Sequence, residues 1–248
     1  YPKSREVSYM KDRYLSGGSA KAGNDAENNT DDIQQMGIPS PIGENPIACL
    51  TIIGQIEGHM VLPSQNKATK YEHILPMLMD VEQNPDTQAL LLLLNTMGGD
   101  VEAGLAIAEM IAGMKKPTAS LVIGGSHSIG VPLAVSTNRS FIVPSATMTI
   151  HPVRVSGMVI SARQSFDYMR DMQARVARFV VDHSHMSMEH FYQLLMSRDE
   201  MANDVGSILD GQEAVDSGLI DQIGSLSDAL GYLNERIGAK PSSRKRRS

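Results

Sequence analysis

The chain contains 248 residues, of which 42% are apolar and 20% are charged, and its formal net charge is −6. These values are typical of a globular domain, and the acidic balance argues against general nucleic-acid binding. No apolar run is long enough to cross a bilayer, and the first residues lack the pattern of a signal peptide, so we expect no membrane span and a cytoplasmic location. The single cysteine, Cys49, lies in a strand-like run, where we expect it to be buried.

The two ends of the chain differ in composition from its middle. Residues 1–46 are polar and contain several Gly, Asn and Pro residues, which predicts a flexible N-terminal arm. Residues 47–238 carry the apolar runs and are predicted to form one folded domain. Residues 239–248 form a predicted basic C-terminal tail, in which Lys and Arg predominate.

Strand-like and helix-like segments alternate along the middle of the chain. The apolar runs predict strands at residues 47–54, 89–94, 118–123, 140–143 and 147–150. The helical patterns cover residues 65–84, with Pro76 interrupting them, 101–114, with Asp100 as N-cap, and 162–183. This alternation predicts an α/β fold with largely parallel strands.

Two of the predicted strands end in glycine-rich turns that precede helices. The first turn is N-T-M-G-G-D at residues 95–100, and the second is I-G-G-S-H-S-I-G at residues 123–130. Ligands collect at the carboxyl ends of strands in α/β folds, and helix N-termini present N–H groups there. Neither turn fits the Walker or dinucleotide patterns. Side by side, the two turns could supply two N–H donors to one developing oxyanion.

The second turn contains two candidate nucleophiles. Ser128 directly precedes the predicted helix and is the better placed serine, whereas Ser126 lies within the turn and is expected to help cap the helix. His127 is adjacent to Ser128, but neighbouring side chains diverge, so the base should come from elsewhere. His151, which ends the last predicted strand and precedes Pro152, is the strongest candidate.

Read together, the motifs resemble those of the ClpP family of serine peptidases. The turns N-T-M-G-G and G-G-S-H-S-I-G, followed by M-T-I-H, are similar to that family's N-S-P-G-G, G-x-A-A-S-M-G and M-I-H. G-Q-I-E-G-H-M at residues 54–60 and E-A-V-D-S-G-L-I-D at residues 213–221 extend the likeness. The resemblance covers roughly residues 47 to 221.

The resemblance implies a fold, an assembly and an activity. The fold would be of the ClpP/crotonase type, with stacked ββα units and a protruding handle helix at residues 162–183. The protein would be a serine endopeptidase that cleaves peptides or unfolded proteins inside a homo-oligomeric ring or double ring. An ATPase unfoldase is a further expected partner, although ATP-independent action stays open. The implied mechanism needs no metal and no organic cofactor.

The same resemblance implies roles for individual residues. It makes Ser128 the nucleophile and His151 the general base, and it assigns the oxyanion hole to the backbone N–H groups of Gly99 and Ile129. The acid of the triad falls in a region about two residues longer than the usual family pattern. Asp204 is the first choice for this acid, and Asp199 is the second.

Two alternative functions stay open at this point. Met97 stands where the family has Pro, and His127 stands where it has a small residue, which leaves room for an inactive scaffold that binds proteins. A crotonase-type enzyme would instead use the two turns to hold the enolate of an acyl-CoA thioester. That chemistry does not need a nucleophilic Ser–His pair, so the peptidase is the favoured function.

Overall fold

The computed structural model describes residues 46–154, 162–197 and 205–237. The predicted arm, except for Pro46, and the predicted basic tail lie outside the described residues. Eight strands are assigned within these ranges: β1 (Ile47–Glu57), β2 (Ala68–Lys70), β3 (Ala89–Gly99), β4 (Thr118–His127), β5 (Arg139–Ile142), β6 (Thr147–Ile150), β7 (Ser207–Asp210) and β8 (Gln222–Ile223).

Seven helices are assigned to the same parts of the chain. They are α1 (Tyr71–Gln83), α2 (Val101–Ala112), α3 (Gly130–Val135), α4 (Ala162–His183), α5 (Met188–Leu195), α6 (Gly211–Asp216) and α7 (Leu226–Arg236). Asp100 caps α2 as predicted, since its carboxylate accepts a 2.8 Å hydrogen bond from the N–H of Ala103. In the described part of the chain, no helix is both long and apolar enough to pass through a bilayer.

The strands form one sheet in the order β2-β1-β3-β4-β5-β8, and all neighbours along this path are parallel. β6 pairs with β4 in parallel and with β7 in an antiparallel manner. The central strand β3 is almost wholly apolar from Ala89 to Leu94 because both of its faces are covered. The predicted α/β fold with largely parallel strands is therefore confirmed.

Cys49 is exposed, so the expectation that it is buried is wrong. Leu50 and Ile52 face the other side of β1 and are buried, because side chains alternate along a strand. On the Cys49 side, the core forms where α7 packs against β3 and β4, and Cys49 does not belong to that cluster. Desolvation by its neighbours nevertheless raises the pKa of the Cys49 thiol.

The first helix also differs from the prediction. Helix α1 begins at Tyr71 rather than near residue 65, and it continues through Pro76 without ending. Buried Ile74 and Leu78 flank the proline, and their packing offsets the backbone hydrogen bond that a proline removes. The preceding residues contain β2 instead, where the Thr69 hydroxyl bonds both the N–H and the carbonyl of Ile53.

A register change between β3 and β4 shapes the end of the sheet. Leu94 pairs with Val122, whereas Thr96 pairs with Ser126, so β4 contains two more residues than β3 over this interval. The first part of β4 pairs with β5, and the part beyond the irregularity pairs with β6. Such irregularities redirect a strand. Here the redirected end of β4 carries His127 and leads into Ser128.

Candidate active site

The two glycine-rich turns lie directly against each other at the carboxyl ends of β3 and β4. Gly98 has a φ of +90°, and a methyl group on its Cα would lie 2.7 Å from the carbonyl oxygen of His127 and 2.8 Å from Cβ of Ser128. It would also lie 3.4 Å from the backbone nitrogen of Ile129. Only glycine permits this approach together with a positive φ. The two turns therefore lie side by side.

Thr96 holds the first turn in place. Its hydroxyl donates a 2.6 Å hydrogen bond to the carbonyl of Gly54 and accepts a 3.0 Å bond from the N–H of Gly98. The side chain is 2% exposed, so both hydrogen bonds form away from solvent. Thr96 thus links β1 to the turn that carries Gly99. Within the N-T-M-G-G motif, nothing in the sequence pattern indicates this role for the threonine.

Ser128 occupies a strained turn between β4 and α3. Among the described residues, it is the one non-glycine residue with a positive φ, at 57°. Its N–H donates to the carbonyl of Thr149 at 2.9 Å, and its carbonyl accepts from Val131 at 3.0 Å. Non-glycine residues in this conformation concentrate at functional sites, where the surrounding structure maintains the strain.

Ser126 does not act as the predicted helix cap. Its side chain is fully buried, and its hydroxyl donates a 2.7 Å hydrogen bond to the carbonyl of Gly130, the first residue of α3. A capping side chain would instead accept a bond from a backbone N–H. The Ser126 side chain is therefore enclosed, and its hydroxyl is already engaged.

Ser128 and His151 line the same cavity, which has a volume of about 370 Å³. Gly99 and Val101 contribute the wall beside the first turn, while side chains of α4 and α5 line other parts. Both Ser128 and His151 are half-buried. The cavity thus brings together the predicted nucleophile, the predicted base and one of the two predicted oxyanion donors.

The second predicted oxyanion donor, Ile129, follows Ser128 and is 2% exposed. Its backbone lies beside Gly98, as described above, but Ile129 is not among the residues that line the cavity. Asp204 and Asp199, the two candidates for the triad acid, lie outside the described residues. Their assignment therefore stays a prediction.

His151 makes a hydrogen bond that defines its tautomer. Its Nδ1 lies 2.7 Å from the carbonyl oxygen of Pro152. A carbonyl oxygen only accepts hydrogen bonds, so in this arrangement Nδ1 carries the proton of the neutral ring. Nε2 then holds a lone pair, which is the state that a general base requires.

His127 is the last residue of β4, which pairs with β6, the strand that precedes His151. Its Nδ1 lies 2.8 Å from the hydroxyl oxygen of Thr149. Its ring packs across Gly125, whose missing side chain leaves the necessary space. Desolvation, followed by repulsion from His151, lowers the pKa of His127 below its ordinary value of 6.5. Burial and the neighbouring His151 therefore both disfavour the protonated form of His127.

The lowered pKa of His127 predicts a loss of stability in mild acid. As the pH falls below about 6.5, the unfolded chain binds a proton at this position before the folded chain does, so the free energy of unfolding decreases until the folded pKa is passed. We expect the melting temperature to drop less between pH 7.5 and pH 5.5 in His127→Gln than in the unsubstituted protein. Equal drops in the two proteins would contradict this assignment.

Gln173 of α4 is a further cavity residue that the sequence analysis did not treat as functional. Its side-chain oxygen accepts a 2.8 Å hydrogen bond from the N–H of Val153. Nothing local in the sequence indicates the partner of Gln173, which lies 20 residues away. Within the described ranges, no group of three or more His, Cys, Asp or Glu side chains is arranged to hold a metal ion.

These features of the fold and of the cavity are those of one class of protein. Comparison with known protein families identifies this class. The chain belongs to the Clp protease family, whose sequence profile matches residues 44–226. The chain is 54% identical to translocation-enhancing protein TepA of Halalkalibacterium halodurans over 208 residues. This alignment covers 83% of this chain and 81% of that protein. Its motifs also look most like those of the TepA branch, and this identity confirms the likeness.

More distant relatives include proteolytic subunits. An ATP-dependent Clp protease proteolytic subunit of Lactococcus lactis subsp. cremoris is 28% identical over 160 residues, which is 60% of this chain and 74% of that protein. Among solved structures, a ClpP1 variant from Listeria monocytogenes has a TM-score of 0.59 at 20% identity, and the match covers 73% of this chain and 94% of that one. The predicted ClpP-type fold is thereby confirmed.

Proposed function

We propose that this chain is a serine endopeptidase that cleaves peptides or unfolded proteins, with Ser128 as the nucleophile and His151 as the general base. The observation that carries the proposal is the cavity that Ser128 and His151 share beside the Gly98–Gly99 turn. The strained backbone of Ser128 and the tautomer of His151 support the same roles. Membership of the Clp protease family is consistent with peptidase activity.

In the proposed reaction, Nε2 of His151 removes the hydroxyl proton as Oγ of Ser128 attacks the peptide carbonyl. The carbonyl oxygen becomes an oxyanion, which the N–H groups of Gly99 and Ile129 stabilise, and each such donor typically contributes roughly 3 kcal/mol to lowering the barrier. His151 then protonates the leaving amine as the C–N bond breaks. Water, activated by the same histidine, hydrolyses the acyl-enzyme and regenerates the Ser128 hydroxyl.

The acid of the triad is proposed to be Asp204, with Asp199 as the second choice. Its carboxylate would stabilise the imidazolium that forms at His151 during attack. We further propose that the chain assembles into a homo-oligomeric ring or double ring in the cytoplasm, in which α4 is the handle helix. The exposed Phe166 and Tyr168 near the start of α4 offer apolar surface for such pairing.

The named functions of the relatives suggest two settings for this activity. The Lactococcus relative is named as an ATP-dependent proteolytic subunit, which supports an ATPase unfoldase as a partner. The Halalkalibacterium relative is named for enhancing translocation, which suggests that the proteins acted on include exported ones. Neither the ATPase nor the exported substrate is required for the chemistry at Ser128.

The nucleophile can be tested by covalent labelling with a fluorophosphonate probe. We expect intact-mass analysis to find one label on the unsubstituted protein and on Ser126→Ala, and none on Ser128→Ala. Ser126→Ala is the matched control because it removes the other hydroxyl of the same turn, and we expect it to affect stability through the lost bond to Gly130. Labelling of Ser128→Ala at the original rate would overturn the assignment.

The same variants, assayed for binding and for peptide cleavage, separate the alternative functions. An inactive scaffold would bind unfolded protein equally well with and without Ser128 and would take up no label. A crotonase-type enzyme would bind coenzyme A tightly and would not need Ser128 for turnover. Peptide cleavage that depends on Ser128 would exclude both alternatives.

A further inference from the structure

One peptide unit connects His151 to helix α4. The carbonyl of Pro152 accepts the hydrogen bond from Nδ1 of His151 at 2.7 Å, and the N–H of the same peptide unit, which belongs to Val153, donates to Oε1 of Gln173 at 2.8 Å. We infer that Gln173 is a positioning residue for the proposed base, because it fixes the peptide plane whose carbonyl orients the His151 ring. This inference rests on the proposed function of His151.

The rigidity of the peptide group gives the inference its physical basis. The C=O and N–H of one peptide unit lie in a plane and point in opposite directions, so rotating the plane disturbs both hydrogen bonds together. With Gln173 in place, the carbonyl stays aimed at Nδ1 and keeps the proton there. Nε2 therefore remains unprotonated, as the proposed role of His151 as general base requires.

Gln173 is itself held firmly by the packing of its helix. Met172 and Val176, its near neighbours on α4, are 4% and 9% exposed. Two residues after Gln173, Arg175 forms two hydrogen bonds, of 2.7 and 3.0 Å, with the carboxylate of Glu102 in the first turn of α2. Because α2 begins two residues after Gly99, α4 is connected both to the oxyanion turn and to the histidine segment.

A set of three variants tests this role. Gln173→Met keeps the approximate length of the side chain but removes the acceptor, whereas Gln173→Glu keeps an acceptor oxygen. Gln193→Met makes the same chemical change at an exposed position on α5, where the Gln193 amide contacts Glu189. We expect Gln173→Met to react with the fluorophosphonate about tenfold to a hundredfold more slowly, since it leaves the Val153 N–H unpaired, and to lower kcat with little change in KM. Gln173→Glu and Gln193→Met should react at nearly the original rate.

A second measurement reads the histidine directly and does not depend on activity. In protein labelled with ¹⁵N at histidine, we expect the His151 resonances of the unsubstituted protein to report a proton on Nδ1. Those of Gln173→Met should report a mixture of tautomers, and thermal melting should show that the variant is folded. An unchanged tautomer would overturn the inference, as would equal reaction rates of Gln173→Met and Gln193→Met or a Gln173→Glu variant as slow as Gln173→Met. Absence of labelling in the unsubstituted protein would instead overturn the proposed function, while the tautomer would still decide the role of Gln173.

Discussion

His151→Gln is expected to lower kcat for peptide hydrolysis by a factor on the order of 10⁴ to 10⁶, because loss of the base removes the proton acceptor for Ser128. Glutamine retains hydrogen-bonding groups of similar reach but does not accept a proton near neutral pH. Since Ser128 and His151 line one cavity, no other described residue is needed to explain the loss. The change should appear in hydrolysis of a short fluorogenic peptide, with KM largely preserved.

The matched control for this experiment is His127→Gln. His127 precedes Ser128 in the chain, but its ring packs across Gly125 and bonds Thr149, and it is not among the residues that line the cavity. We expect this variant to retain activity within about tenfold, which corresponds to about 1.4 kcal/mol in the barrier. A collapse of activity in His127→Gln with an active His151→Gln would show that the assignment of the base is wrong.

Gly98→Ala is expected to reduce both stability and activity. Its φ of +90° disfavours any side chain, and the new methyl group would press on the His127 carbonyl and on Cβ of Ser128. Strain of this kind typically destabilises a protein by about 1–3 kcal/mol. Relief of the contact would separate the two turns, so we also expect slower labelling of Ser128. Urea denaturation at one protein concentration gives the free energy of unfolding, and the fluorophosphonate gives the labelling rate.

Gly231→Ala makes the same substitution with the opposite expected sign. Gly231 lies in α7 and is exposed, and an added methyl group would meet no atom within 4 Å. Alanine in a helix is more stable than glycine by about 0.5–1 kcal/mol, so this variant should be slightly stabilised and fully reactive. If Gly98→Ala and Gly231→Ala changed the free energy of unfolding equally, the close approach of the two turns would not explain the effect of Gly98→Ala.

The regular elements were the most predictable part of the fold. Helix α4 spans residues Ala162–His183 and strand β6 spans Thr147–Ile150, as the periodic patterns predicted. Strand β3 was predicted to end at Leu94 but continues to Gly99, because β1 pairs with it as far as Ile56. Pairing between distant segments thus lengthened a strand through a glycine turn that local propensity assigns to a loop.

The sequence by itself determined the family, the α/β class and the identity of the strongest candidate residues. The evidence lies in local features: turn glycines, a serine before a helix and a histidine after a strand. Their order along the chain is specific enough to identify the family. The roles of Ser128 and His151 stay predictions, and the triad acid has no described position.

Only the tertiary structure decided which side chains meet. It engaged the Ser126 hydroxyl with the Gly130 carbonyl, left Cys49 outside the core cluster that includes α7, and brought Gln173 to the peptide whose carbonyl contacts His151. Each of these outcomes depends on whether residues of different elements come into contact. Burial and hydrogen-bond partners of this kind arise from packing, so a one-dimensional pattern of residues does not contain them.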